Sequence, residues 1–166
     1  YHCWTGLFND EEQRIMYNFT VNTAYIGEGI FVQESNTDIK GASVDEVIKN
    51  LSGKTVGVVK TFAQTIKEKN RDIELVLGDQ HISLDKLAAG EIDAAWLPAT
   101  YTFTADEKGY KVKIVAVQED PTPTGVAFSK TVDPEIIDRF NAAFETVKQT
   151  DFIDKMNEKY SLSPYN

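Results

Sequence analysis

The hydrophobic residues of this chain fall into short apolar runs that alternate with segments of helical spacing. Short apolar runs bounded by glycine, proline or polar residues are typical of strands buried on both faces. The predicted strands are 29–33, 54–59, 73–77, 92–97, 112–117 and 125–129. The predicted helices are 10–14, 44–51, 62–69, 83–89, 134–147 and 152–160, and 100–108 is either a helix or an irregular crossover. This order predicts an α/β protein with a mostly parallel sheet flanked by helices.

Two of the predicted helices begin with specific capping signals. Ser43 and Glu46 have the spacing of a capping box, in which the serine side chain bonds the helix N-terminus and the glutamate reaches back. Asp133 precedes Pro134, a residue favoured at the first helical position, and Glu135 adds negative charge to the first turn. These residues predict where the two helices start.

The helix that follows Asp133 carries an apolar stripe that needs a partner. Its members have the spacing of one helix face. They are Ile136, Ile137, Phe140, Ala143, Phe144 and Val147. Residues 1–25 offer too little sheet to cover them, and a large exposed apolar patch is a signal for assembly. We therefore expect the stripe to be covered by a second copy of the chain, through dimerisation or swapping, or by a further segment.

Net charge narrows the range of partners. The 166 residues include 17 Lys and Arg against 26 Asp and Glu, which gives a formal net charge of −9. This charge repels nucleic-acid phosphates and anionic membrane surfaces, and the sequence shows no local basic patch that would offset it. No apolar run approaches the ~20 residues that a membrane-spanning helix needs. The composition therefore argues against binding to nucleic acids or to membranes.

Side chains able to carry catalysis or bind metals form no recognisable motif. Cys3 is the only cysteine, so an intrachain disulfide and a cysteine-based metal cluster are both excluded. The two histidines, His2 and His81, are far apart in sequence. The sequence contains no serine-nucleophile elbow, glycine-rich phosphate loop or zinc-helix motif. We therefore expect no catalytic residue, no metal and no cofactor, and we do not expect an enzyme.

Four segments of the chain together carry a family resemblance. They are GLFNDEEQRIMYNFT at 6–20, LSGKTVGV at 51–58, LAAGEIDAA at 87–95 and the closing pair of helices at 140–160. In this order and at this spacing they resemble the family 3 extracellular solute-binding proteins of bacterial ABC transporters, which include the polar amino-acid binders. Each segment alone is a weak signal, and their common order makes the resemblance specific.

The resemblance implies a type 2 periplasmic-binding fold, with two α/β lobes, two crossing strands and a ligand between the lobes. Residues 26–124 would be the complete second lobe, including the crossing strands. Residues 1–25 and 125–166 would be part of the first lobe, whose N-terminal strands and helices are absent. The implied partners are a small-molecule ligand and the membrane permease of an ABC transporter. The implied location is periplasmic or extracellular, with no signal peptide in this chain.

Two other functions remain open on the same fold. A ligand-sensing domain of a membrane signalling protein would close around its ligand in the same way. A dehydratase-like enzyme would need a buried acid–base pair facing the cleft. The acidic residues mostly fall in the first turns of helices or in loops, where capping and solubility explain them. The sequence therefore favours transport or sensing over catalysis.

The ligand clamp that the resemblance implies is altered at three positions. Gln13 stands where the family places an arginine for the ligand carboxylate, and Arg14 is one residue further on, about 100° around a helix. Phe62 replaces a hydroxyl-bearing residue, and Pro98 replaces an acidic partner of the ligand ammonium. We therefore expect that a standard α-amino acid is not held by the usual clamp, and that common amino acids bind poorly.

The candidate ligand-binding residues form an aromatic site with one possible cation. They are Trp4, Phe8, Arg14, Thr61, Phe62 and Trp96. Such a site suits a ligand with an apolar or aromatic body. Arg14 is either a carboxylate clamp or a solvated side chain. Thr61 caps a helix, with or without lining the cleft, and Trp96 is either a cleft or a core residue. Loss of ligand binding also fits the three altered positions.

Overall fold

The computed structural model describes residues 2–160. The chain forms two compact units. We call Gly27–Glu119 the central unit, and the residues up to Ile26 together with those from Asp120 onward the terminal unit. The identification of 26–124 as a complete lobe, and of the flanking residues as a partial lobe, stays a prediction.

The described residues contain nine strands and seven helices. The strands are β1 (Cys3–Phe8), β2 (Tyr17–Phe19), β3 (Ala24–Ile26), β4 (Glu28–Gln33), β5 (Thr55–Val58), β6 (Glu74–Leu77), β7 (Ala94–Pro98), β8 (Val112–Val117) and β9 (Thr122–Ser129). The helices are α1 (Glu11–Met16), α2 (Val44–Lys49), α3 (Lys60–Lys69), α4 (Gln80–Ala89), α5 (Tyr101–Glu107), α6 (Pro134–Lys148) and α7 (Phe152–Tyr160).

The central unit is built on a five-stranded sheet with the order β6-β5-β7-β4-β8. β5 runs parallel to β6 and β7, whereas β4 runs antiparallel to both of its neighbours, β7 and β8. The expectation of a mostly parallel sheet was therefore wrong, and the sheet is mixed. The reason is that β4 inserts between β7 and β8 in the opposite direction. An apolar run in the sequence indicates a strand and does not give its direction.

Both faces of this sheet are covered, as the apolar runs predict. Side chains alternate along a strand, so Ile30 and Val32 of β4 join a core with α2 and α3, while Phe31 joins a second core with α4 and α5. The side chains of Phe31 and Leu97 are fully buried. Burial of an apolar side chain of this size stabilises the fold by about 1.5–3 kcal/mol. β4 therefore contributes to both cores at once.

The two predicted capping signals are present. The Ser43 hydroxyl accepts a hydrogen bond from the Glu46 N–H at 3.3 Å, and Glu46 Oε2 accepts one from the N–H of Ala42 at 2.7 Å. The glutamate thus reaches one residue further back than the capping-box spacing predicts. At α6, Asp133 Oδ1 accepts from the Glu135 N–H at 3.0 Å, and Pro134 is the first helical residue.

The terminal unit holds a four-stranded antiparallel sheet centred on β9, which pairs with β1, β2 and β3. β1 lies at the edge of this sheet, and every one of its residues except Leu7 is exposed. On α6, Ile137 is buried against the sheet, whereas Ile136 and Val147 of the predicted stripe are 51% and 37% exposed. Among the described residues, the stripe is thus only partly covered.

The inner strand β7 and the edge strand β6 of the central sheet predict a sharp contrast between two leucines. Leu97 on β7 is 0% exposed and Leu77 on β6 is 59% exposed. We expect Leu97→Ala to lower the free energy of unfolding by about 2–5 kcal/mol, because it removes buried methyl groups and leaves a cavity. The matched variant Leu77→Ala should lower it by less than about 1 kcal/mol. Urea denaturation measures both, and equal losses would contradict the described packing.

Candidate functional site

An aromatic pair lies near the carboxyl ends of β5 and β7 in the central unit. Trp96 is in the middle of β7, and Phe62 is in the first turn of α3, which follows β5. Their rings stack with centroids 5.9 Å apart and planes at 23°. Trp96 is buried and Phe62 half-buried. Sheets of α/β proteins bind ligands beyond the carboxyl ends of their parallel strands, so this is where a site is expected.

A buried carboxyl group lies beside this pair. Glu28 begins β4 in register with Pro98, the last residue of β7, and is 3% exposed. Burial raises the pKa of the Glu28 carboxyl to about 7, and the adjacent Trp96 side chain offsets part of this rise. Glu28 Oε2 and Trp96 Nε1 are both buried, and the hydrogen bond between the two side chains has marginal geometry. The carboxyl therefore recovers little of the hydrogen bonding that it loses with water.

The backbone around this carboxyl is held firmly. The Gln118 N–H donates to the Glu28 carbonyl at 2.8 Å, and Gln118 Oε1 accepts from the Glu28 N–H at 3.4 Å. The Ala99 N–H donates to the carbonyl of Gly27 at 2.8 Å. Burial is the main cause that raises the pKa of the nearby Tyr101 phenol, with the charges of Asp79 and, to a lesser degree, Glu28 adding to the rise. The backbone at Glu28 is thus fixed, and its carboxyl faces the Trp96 side chain.

The prediction that Thr61 caps a helix was wrong. α3 begins at Lys60, its cap residue is Val59, and no side chain bonds the exposed N–H groups there. The reason is that the extended backbone continues through Val59 and turns directly into the helix, so Thr61 falls inside the first turn. The Thr61 side chain is exposed next to Phe62. Its contact with a ligand stays a prediction.

A second feature, in the terminal unit, is an open cationic concavity of about 360 Å³. Its lining includes two cations and no carboxylate. The lining residues are Asn9, Arg14, Tyr17, Asn18, Phe19, Thr20 and Lys130. Arg14 Nε donates to Asn9 Oδ1 at 2.7 Å, and Lys130 Nζ donates to Asn18 Oδ1 at 3.0 Å and to the Arg14 carbonyl at 2.9 Å. Arg14 is therefore exposed and also held by an amide, and its role as a carboxylate clamp stays a prediction.

The other predicted residues of the terminal unit lie on β1. Trp4 and Phe8 are both partly exposed, and the Trp4 ring lies 5.0 Å from the ring of Tyr17, which lines the concavity. Phe8 does not line it. The structure thus brings Trp4 close to the Arg14 network in the terminal unit, and Phe62 together with Trp96 in the central unit. Contact between these six residues and a ligand stays a prediction.

Glu28 and Lys130 are the two charged residues that the sequence analysis missed. Glu28 immediately precedes the predicted strand at 29–33. Alternation along that strand places its side chain on the same buried face as Ile30 and Val32, and this was the available signal. Lys130 follows β9, and no pattern along the chain indicates that it lies beside Arg14.

Metal clusters and membrane-spanning helices are both absent from residues 2–160. In this range, no group of three or more His, Cys, Asp and Glu side chains could hold a metal ion. None of the helices in the same range is long and apolar enough to cross a membrane.

Solved structures share the fold of this chain. The second substrate-binding domain of a putative amino acid ABC transporter from Streptococcus pneumoniae matches with a TM-score of 0.71 and 24% identity, over 96% of this chain and 72% of that chain. The probable amino-acid ABC transporter extracellular-binding protein ytmK from Bacillus subtilis matches with a TM-score of 0.77 and 18% identity, over 93% of this chain and 68% of that chain. The predicted α/β type 2 periplasmic-binding fold is confirmed, with mixed sheets.

A sequence relative supports the same assignment. The chain is 31% identical over 160 residues to the probable amino-acid-binding protein YxeM of Bacillus subtilis. The predicted resemblance to the solute-binding proteins of ABC transporters is thus supported by a sequence relative as well as by the fold. The alignment covers 90% of this chain and 57% of YxeM, so the chain spans little more than half the length of that relative. No protein-family model matches the chain.

The buried carboxyl of Glu28 predicts an unusual dependence of stability on pH. The pKa of Glu28 rises from 4.5 to about 7 on folding, so the folded state holds this proton more tightly than the unfolded state. We therefore expect this contribution to the free energy of unfolding to be full below pH 4.5 and to be lost as the pH rises through about 7.

Two isosteric variants test this expectation. Glu28→Gln should remove this fall in stability, because its amide does not ionise. Glu34→Gln, which changes an exposed glutamate just beyond the other end of β4, should keep the wild-type profile. Urea denaturation between pH 4 and pH 8 provides the measurement. Parallel profiles for the wild type and Glu28→Gln would show that the Glu28 carboxyl does not titrate as described.

Proposed function

We propose that this protein is the solute-binding component, or part of the solute-binding component, of an ABC transporter, and that it binds an amino acid or a close derivative. The observation that carries the proposal is the likeness to YxeM, a probable amino-acid-binding protein, which extends over 90% of the chain. The proposed partners are this ligand and the membrane permease of the transporter. The proposed location is extracellular or periplasmic.

The relatives give no support for excluding standard amino acids. The expectation of poor binding rested on Gln13, Phe62 and Pro98, and the matched proteins are named for amino-acid binding or transport. The three altered positions therefore bear on how a ligand is held. We propose that the contacts differ from the usual clamp while the ligand remains of the amino-acid class, and we propose no catalytic role.

A ligand screen tests this function directly. The protein is heated in the presence of each of the common amino acids, and hits are followed by isothermal titration calorimetry. A ligand at a hundredfold excess over its Kd raises the free energy of unfolding by about 2.7 kcal/mol, so a true ligand gives a clear rise in Tm. At least one amino acid or close derivative should produce such a rise. No response to any compound at millimolar concentration would overturn the proposal.

Gln13, which stands where the family places an arginine, gives a gain-of-function prediction. We expect Gln13→Arg to tighten binding of the best amino-acid ligand by about 10- to 100-fold, because a guanidinium forms charge-assisted, bidentate bonds with a carboxylate. Gln149→Arg adds the same charge at an exposed position in the terminal unit and should leave the affinity unchanged. Titration calorimetry compares the two variants. Equal affinities would show that position 13 does not face the ligand carboxylate.

We propose that a second copy of the chain covers the exposed apolar surface of the terminal unit. The edge strand β1 offers unpaired backbone groups, and Ile136 and Val147 add apolar area. We expect the mass from light scattering to rise towards a dimer with concentration. Ile136→Lys should shift the protein towards the monomer, whereas Ile82→Lys, at an exposed position in the central unit, should not. A stable monomer over a wide concentration range would contradict this proposal.

A further inference from the structure

The concavity of the terminal unit gathers positive charge in a chain that is acidic as a whole. The 166 residues carry a formal net charge of −9. Arg14 and Lys130 nevertheless line the same open space of about 360 Å³, and no acidic residue is among the described residues that line it. Glu11 and Glu12, on α1 with Arg14, are exposed and lie outside the lining. Neither cation forms an ion pair with a carboxylate within residues 2–160.

Arg14 is oriented by a chain of neutral side chains. Its Nε donates to Asn9 Oδ1 at 2.7 Å, and Asn9 is buried. Asn9 Nδ2 donates to Asn22 Oδ1 at 2.7 Å, and Asn22 Nδ2 donates to the Tyr25 hydroxyl at 3.1 Å. A guanidinium has five N–H donors, and Asn9 takes only the one on Nε. The side chain is therefore held in place while its charge and its terminal nitrogens stay available to a ligand.

Lys130 is positioned by two neutral acceptors. Its Nζ donates to the Arg14 carbonyl at 2.9 Å and to Asn18 Oδ1 at 3.0 Å. An ammonium has three donors, so one of them remains for a ligand. The two cations thus belong to one hydrogen-bonded network that is already formed. A site whose side chains are ordered before binding loses less conformational entropy when the ligand arrives.

The charge and the donors of this network fit a doubly charged oxyanion. A phosphate monoester carries a charge of about −2 and offers three strong acceptor oxygens. A guanidinium forms paired hydrogen bonds with two such oxygens, and an ammonium adds a point charge. Arg14 and Lys130 together balance this charge, whereas a single carboxylate would leave one of the two cations without a counter-charge.

We propose that Arg14 and Lys130 bind a phosphate group in the concavity of the terminal unit. The phosphate is either the free ion or the monoester group of a small molecule whose remainder extends through the open side of the concavity. A membrane headgroup is disfavoured, because the net charge of the chain repels an anionic surface. The inference goes beyond amino-acid binding and does not rest on the proposed function.

Isothermal titration calorimetry of the full chain tests the site. Calorimetry is chosen because phosphate raises the Tm of proteins in general. The chain is titrated with sodium phosphate, methyl phosphate and sodium acetate, each in sodium chloride that keeps the ionic strength equal. We expect phosphate to bind at least about tenfold more tightly than acetate. Binding of methyl phosphate as well indicates a monoester ligand, and its failure to bind indicates the free ion. Equal affinity for acetate, or no binding of phosphate, would overturn the proposal.

Three variants connect the binding with the two cations. Arg14→Gln and Lys130→Gln should each weaken phosphate binding by about tenfold, because each removes a charge-assisted hydrogen bond. Arg71→Gln removes the same charge from an exposed position in the central unit and should keep the wild-type affinity. Full affinity in Arg14→Gln or Lys130→Gln, or an equal loss in Arg71→Gln, would refute the site.

An isosteric variant separates loss of the site from loss of the fold. Asn18→Asp keeps the oxygen that accepts from Lys130 and adds a negative charge to the lining. We expect it to unfold in urea like the wild type and to bind phosphate at least about tenfold more weakly. Unchanged phosphate affinity would contradict the proposal. Competition gives a second test: an amino-acid ligand found in the screen should bind equally well with and without saturating phosphate, and displacement would assign the concavity to the amino acid and overturn the phosphate site.

Discussion

The central unit depends on a single antiparallel strand held between two others that run the opposite way. β4 pairs with β7 on one side and β8 on the other, and its side chains alternate between the two cores of the unit. Because both faces are covered, every residue of β4 from Glu28 to Val32 is buried. The same constraint that stabilises the sheet through Ile30 and Phe31 also takes the Glu28 carboxyl out of water. Packing and candidate chemistry therefore arise from the same strand.

Much of the architecture could be predicted because its signals are local. The Ser43 and Asp133 caps, the apolar runs and the helical spacing each act within a few residues, and the structure has helices and strands at these places. Strand direction is not local, since it depends on which strands become neighbours. The expectation of a mostly parallel sheet failed for this reason. The Thr61 cap failed because nothing in the sequence marks where the extended backbone after β5 turns into α3.

The candidate site shows the same division between local and long-range information. Trp96 and Phe62 could be chosen from the sequence because each follows or ends a predicted strand. Glu28 could not be connected with Pro98, because the two residues are distant in the chain and become neighbours only through the ladder. In the sequence, no acidic residue near Pro98 replaces the one that the family has at this position. In the sheet, Glu28 lies directly opposite Pro98.

The hydrogen bonds between Glu28 and Gln118 also bring the two ends of the central unit together. They hold the residue that enters the unit beside the residue that leaves it, at a backbone distance of 2.8 Å between N and O. Topologically, Gly27–Glu119 is an insertion whose two ends meet. Joining those ends directly would close only a short loop, and short loops cost little closure entropy. The unit is therefore suited to excision, to circular permutation or to grafting into another protein as a self-contained module.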